Sequence, residues 1–167
     1  MNTVQAHPIS REAFEPYGWL IDARSHTGLA INDGSSQRVD GQTELALTAA
    51  GGQACLAVFK AAARDPAGPW QVLERHSLGT QTFVPLNGVR YVVLVACASQ
   101  PGGDRPDEST LAAFVVSGHQ GITLRAGTWH HGLLALEAGD FVVLERHAAE
   151  VDCSTAQLQQ PVRIVLG

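Results

Sequence analysis

Two stretches of this chain set ligating and proton-carrying side chains at spacings that support chemistry. The first holds Glu74 and His76 two residues apart, with Gln81 further on after four intervening residues. The second is Gly127-Thr128-Trp129-His130-His131. Residues two apart on a β-strand share a face, so Glu74 and His76 aim the same way. Gln81, at the start of the strand expected next, reaches back toward them across the pair. His130 and His131 point to opposite faces in extended backbone, so one of the two joins the cluster. Neutral imidazole and carboxylate suit a divalent transition metal such as Ni²⁺, Zn²⁺ or Mn²⁺. Glu74, His76, Gln81 and His130 are therefore candidate metal ligands, although two imidazoles, a carboxylate and an amide bind less well than three imidazoles and a carboxylate. The competing reading is a polar interior satisfied by hydrogen bonds and water. Histidine ordinarily changes charge near neutral pH, which makes His130 or His76 the candidate base, with Glu74 orienting it or donating a proton.

The elements that must hold these residues are short strands. Val, Ile, Leu, Phe and Tyr concentrate in Cys55–Lys60, Trp70–Arg75, Gln81–Leu86, Arg90–Cys97, Gly121–Arg125, Leu133–Glu137, Phe141–Arg146 and Val162–Leu166. Turn residues such as Asn87-Gly88 and Ala138-Gly139-Asp140 separate them. Ser10 is placed to cap one helical turn over Arg11–Phe14, and Asp107–Ala113 fits another. The polar stretch Gly28–Gly41 reads as a loop over the mouth of the fold. This pattern predicts an all-β, jelly-roll or barrel domain with a few short helices. Trp70 and Trp129 read as core or interface aromatics, and Arg75 as a strand residue facing away from Glu74 and His76.

Composition narrows the classes. The 167 residues fit a single domain, 1–167, and 45% hydrophobic content supports a real core. A net charge of −5 with 11 scattered Lys and Arg gives neither the basic footprint of a nucleic-acid binder nor a polybasic membrane patch. No apolar run is long enough to span a bilayer, and Met1–Ser10 lacks the pattern of a signal peptide. Cys55, Cys97 and Cys153 are odd in number and lack a C-x-x-C spacing, which fits reduced thiols in a cytoplasmic protein.

The two stretches are similar to the paired motifs of cupins, H-x-H-x(3,4)-E-x(6)-G and G-x(5)-P-x-G-x(2)-H-x(3)-N. Glu74 stands for the first His, Gln81 for the Glu, Arg125 for the Pro and Leu134 for the Asn. A more specific resemblance runs from about Ile9 to Arg146. Leu73-Glu74-Arg75-His76-Ser77-Leu78-Gly79-Thr80-Gln81 through Pro85 resembles the ureidoglycolate lyase run L-E-R-H-P-L-G-[ST]-Q-A-F-[IV]-P. Thr128-Trp129-His130-His131 resembles that family's W-H-H ending. Ile31-Asn32-Asp33-Gly34 with Arg38 resembles I-N-N-G-x-x-x-R, and Pro106 to Phe114 resembles P-D-x-S-T-L-R-A-F.

This resemblance implies a cupin-type double-stranded β-helix and a carbon–nitrogen lyase that splits (S)-ureidoglycolate into glyoxylate and urea in allantoin and purine catabolism. It further implies a divalent cofactor, Ni²⁺ first, and a homodimer. A small anionic substrate needs a cationic grip. Arg38 and Lys60 are the expected carboxylate anchors, Asn32 the contact to the ureido group, and Gln81 a further substrate contact. The chain departs from the family where Val39-Asp40-Gly41 follows Arg38 in place of Y-H-D-L, at Lys60 in place of Arg, and at Gly132 in place of Pro. These departures keep two alternatives open: a related cupin acting on another small hydroxy or keto acid, and a non-catalytic small-molecule-binding cupin.

Overall fold

A computed structural model describes residues 1–24 and 26–167. Its strands in chain order begin with β1 (Asn2–Pro8), β2 (Gly18–Ile21), β3 (Leu29–Ile31), β4 (Ser36–Arg38) and β5 (Gln53–Ala61). They continue with β6 (Trp70–Arg75), β7 (Gln81–Pro85), β8 (Tyr91–Ala96), β9 (Ala112–Val116) and β10 (Gly121–Leu124). The last four are β11 (Trp129–His130), β12 (Leu134–Ala135), β13 (Gly139–His147) and β14 (Ser154–Leu166). One α-helical turn, α1 (Arg11–Phe14), starts where Ser10 Oγ accepts the Ala13 N–H at 3.2 Å. Glu108–Thr110 forms a 3₁₀ turn where a helical turn is expected.

The larger sheet runs β11-β6-β14-β1-β9-β8-β12, and β11 pairs with β8 as well as with β6. That second pairing closes six strands into a mixed barrel. β1 lies parallel to both β14 and β9, so the chain's first strand seals the side opposite β11. A five-stranded sheet, β2-β10-β7-β13-β5, lies against the outside of this barrel. The fold is the mainly-β, cupin-type barrel expected, with short helices alone. Several strands escape the sequence pattern. β1 and most of β14 are polar on alternate residues and carry Pro8 and Pro161, and the loop read over Gly28–Gly41 contains the small β3–β4 hairpin.

Pleating splits the apolar residues into two cores. Leu73, Val92, Leu94, Ala96, Trp129, Leu158, Val162 and Ile164 fill the barrel. Phe83, Tyr91, Val93, Val95, Phe114, Ile122, Leu124, Phe141 and Val143 fill the space between barrel and sheet. β8 serves both: its odd residues face the sheet, its even residues face the barrel, and all six are buried. A strand covered on both faces reads as a continuous apolar run, as Tyr91-Val92-Val93-Leu94-Val95-Ala96 does. Each buried Val or Leu there contributes about 1.5–3 kcal/mol relative to exposure.

Because β8 belongs to both cores, they should unfold together. Leu94→Ala should destabilise the protein by about 2–5 kcal/mol. Urea unfolding followed by tryptophan fluorescence and by far-UV circular dichroism should still give one coincident transition. Two separated transitions would show that the cores are independent.

Candidate active site

The site forms where the barrel's outer face meets the five-stranded sheet. Leu73 points into the barrel, so Glu74, the next residue on β6, points out, and His76 follows it just past the strand's end. On β11 the same alternation turns Trp129 inward and His130 outward, directly opposite Glu74 in register. Gly127 holds φ +90°, a conformation that favours glycine, and its N–H donates to the His76 carbonyl at 2.7 Å. That bond joins the two motifs. Gln81 comes from elsewhere than expected. β7 belongs to the opposite sheet and does not pair with β6, so Gln81 approaches His76 across the gap between sheets.

The geometry is compact. His130 Nε2 lies 3.4 Å from Glu74 Oε1, and the His76 and His130 rings are 5.4 Å apart. One ligand atom from each of Glu74, His76 and His130 lies within 4.8 Å of the other two. His130 is buried at 2% exposure and Gln81 at 6%, whereas Glu74 is about one-third exposed at 35% of its side chain. The Glu74 carboxyl is held below the ordinary carboxylate range chiefly by His130, with His76 and His131 adding to the effect against the opposing cost of burial.

Neighbouring groups fix what each ligand presents. His76 Nδ1–H donates to the Asp152 carbonyl at 2.5 Å, and His130 Nδ1–H donates to the Thr128 carbonyl at 3.1 Å. In the neutral form of each ring, with the proton on Nδ1, Nε2 presents a lone pair. Gln81 Nε2 donates to Glu145 at 2.7 Å, which leaves Gln81 Oε1 on the other side of the amide. His76 Nε2, His130 Nε2 and Gln81 Oε1 are all buried without a hydrogen-bond partner. Buried polar atoms are nearly always satisfied, and here three unsatisfied acceptors gather beside one carboxylate. Two imidazole nitrogens and a carboxylate oxygen from Glu74, His76 and His130 fit a divalent metal ion.

The remaining candidates lie elsewhere. His131 turns away from the cluster, sets its ring edge-on to Trp70 at 4.7 Å and donates from Nδ1 to the Gly132 carbonyl; burial lowers its pKa. Arg75 faces away from Glu74 as expected, yet it is buried, because the opposite face of β6 is the barrel interior: its guanidinium lies 4.7 Å over the Trp129 ring. Arg125 pairs with Glu15 at 2.9 Å and stacks on Trp19.

Among the described residues no hydrogen bond or ion pair joins Arg38, Asn32 or Lys60 to the cluster. Arg38 is exposed on β4 and paired with Asp40 at 2.7 Å, and Asn32 is exposed in the adjoining 3₁₀ turn. Lys60 is exposed near the far end of β5, opposite Asp140, whereas the site's row runs from Gln81 to Glu145 to Cys55. Five residues of strand separate the two rows, roughly 17 Å. Three other residues take places at the site: Glu145 holds Gln81, Asp152 holds His76, and Arg146 lines the adjoining cleft. The Phe141–Arg146 strand is legible in the sequence, but its register against Gln81 is a long-range pairing with no local signal.

A family model described as ureidoglycolate lyase matches residues 1–165. Among curated relatives, a ureidoglycolate lyase of Pseudomonas fluorescens strain Pf-5 is 35% identical, covering 100% of this chain and 98% of that protein. A ureidoglycolate lyase of Burkholderia mallei is 38% identical over 87% of this chain and 84% of its own length. One from Pseudomonas syringae pv. tomato is 32% identical, with coverage of 99% and 96%. With the family model matching residues 1–165 and the likeness running along nearly the whole of both chains, this chain belongs to the ureidoglycolate lyase family.

Proposed function

We propose that this enzyme cleaves (S)-ureidoglycolate to glyoxylate and urea, at the cluster of Glu74, His76, Gln81 and His130. The observation that carries the reading is the Glu74, His76 and His130 cluster, with both imidazole Nε2 atoms buried and unpartnered, in a chain of this family. The substrate carbon bears a hydroxyl, a carboxylate and a urea nitrogen. Cleavage removes the hydroxyl proton, forms the aldehyde C=O, breaks the C–N bond and returns a proton to the departing nitrogen. No water is consumed, so the reaction is an elimination.

His76, Gln81 and His130, with Glu74 at the edge, would hold a divalent ion, Ni²⁺, Mn²⁺ or Zn²⁺. When bound, such an ion supplies a Lewis acid beside the hydroxyl and carboxylate oxygens. Glu74, about one-third exposed, takes the hydroxyl proton and hands it to the urea nitrogen. His130, buried with its Nε2 3.4 Å from Glu74 Oε1, completes the donor set from behind. Glu145 and the carbonyls of Asp152 and Thr128 keep the donors turned inward.

The same reading makes the protein a homodimer in a reducing, cytoplasmic setting. β5 is an open sheet edge whose Leu56 and Val58 are 71% and 58% exposed, a surface that favours covering by a second copy. All three cysteines are free. No helix among the described residues is long and apolar enough to cross a membrane. Light scattering at micromolar concentration should give twice the chain mass; a monomer mass would contradict the pairing.

The reaction is tested by supplying pure (S)-ureidoglycolate to enzyme loaded with Ni²⁺, Mn²⁺ or Zn²⁺ in turn and measuring urea, glyoxylate and ammonia. Urea and glyoxylate should appear in equal amounts with no ammonia. Glu74→Gln should lower kcat/KM by about 10²-fold or more, the scale of losing an acid–base group, and His130→Ala should lower it as well through loss of a ligand. If no loaded preparation exceeds spontaneous decay of the substrate, the reading is wrong, and a related cupin acting on another small acid takes its place.

A further inference from the structure

Beside the cluster opens a cleft in two parts. One hollow, about 170 Å³, is bordered by His76, Glu145, Arg146 and Asp152. The next, about 320 Å³, is bordered by Ala50, Gly51, Leu78, Arg146 and Asp152. Arg146 lines both, and also the narrow gap that reaches Gln81. Among the described residues it is the one Lys or Arg on those walls. The walls also carry Glu145, Glu150 and Asp152. Glu145 is engaged by Gln81, and the Asp152 carboxylate accepts the N–H groups of Ser77 and Leu78 at 2.9 and 2.7 Å.

The chain is shaped around this arginine. Its Nε donates to the Ala49 carbonyl at 2.7 Å and one Nη to the Ala50 carbonyl at 3.2 Å. Ala50 takes a left-handed φ of +49° to present that carbonyl. A Cβ at Gly52 would sit 2.4 Å from Arg146 Nε, and one at Gly79 would sit 2.6 Å from Arg146 Cβ. Two bare glycines and an alanine in an unfavourable conformation thus make room for the Arg146 side chain beside the cleft. Its other Nη makes no hydrogen bond among the described residues.

We infer that Arg146 is the carboxylate anchor of the site. This rests on the lyase reading for the identity of the substrate, a 2-hydroxy monocarboxylate. A guanidinium meets a carboxylate with directed donors, and in a cleft walled by acids a fixed cation is what admits an anion.

The test is calorimetric binding of glycolate, an unreactive 2-hydroxy carboxylate, with its neutral amide, glycolamide, as the control. Arg146→Gln should weaken glycolate at least 10-fold and leave glycolamide unchanged, and Arg146→Lys should fall between. The KM for ureidoglycolate should rise at least 10-fold in Arg146→Gln, with kcat within a few-fold of wild type. A folded Arg146→Gln protein that binds glycolate like wild type overturns the inference. Should that variant not fold, Arg146→Lys is read the same way; if neither folds, Arg146 is a clamp for the Ala49–Gly52 turn and the inference is likewise overturned. Failure of the lyase reading would show separately, as absent urea release from wild-type protein that still binds glycolate through Arg146.

Discussion

Everything at this site depends on the pleat of one very short strand. Trp129 and His130 are the whole of β11, the piece that bridges β6 and β8 and closes the barrel. Adjacent residues of a strand face opposite ways, so the closure that buries Trp129 in the barrel presents His130 to the cleft. The hydrogen-bonded register then sets His130 opposite Glu74, and the Gly127 N–H ties the approach to the His76 carbonyl. A slip of one residue would bury an imidazole in the barrel and expose an indole. The packing of Trp129 and the placing of His130 are one structural event.

A second constraint is electrostatic. Leaving a buried acceptor unsatisfied costs about 1–3 kcal/mol, and His76 Nε2, His130 Nε2 and Gln81 Oε1 are all buried without a partner. The surrounding hydrogen bonds do not relieve the cost; they maintain it. Asp152, Thr128 and Glu145 each engage the outer side of a ligand and leave its inner atom bare. Such an arrangement is stabilised by whatever satisfies the inner atoms, so binding and folding are linked. The same network extends outward: Asp152 also fixes Ser77 and Leu78, and Arg146 follows Glu145 directly on β13.

What the sequence makes legible is local. The period-two spacing of Glu74 and His76, the glycine before Trp129, the Ser10 cap and the all-apolar β8 are visible as residue types and intervals, and the structure keeps each. The pairing of strands distant in the chain is not visible. Gln81 follows His76 closely, which suggests neighbouring strands, yet the turn between them carries β7 into the other sheet. Lys60 stands five residues along β5 from the site's row, a fact set by its register with β13. Arg75 is an example of the opposite kind: its direction is right, but its surroundings depend on the barrel closing behind β6. Arg146 has no local mark, because the glycines that house it lie far away in sequence, at Gly52 and Gly79.

The central claim is that the inward atoms of His76, His130, Gln81 and Glu74 form one ligand set. X-ray absorption at the nickel edge of Ni²⁺-loaded protein tests it directly, because imidazole rings produce a distinct outer-shell scattering. The account expects two imidazole nitrogens with oxygen donors completing the shell, and loss of one imidazole in His130→Ala. A shell of oxygen atoms alone, or one containing sulfur from Cys153, would contradict it.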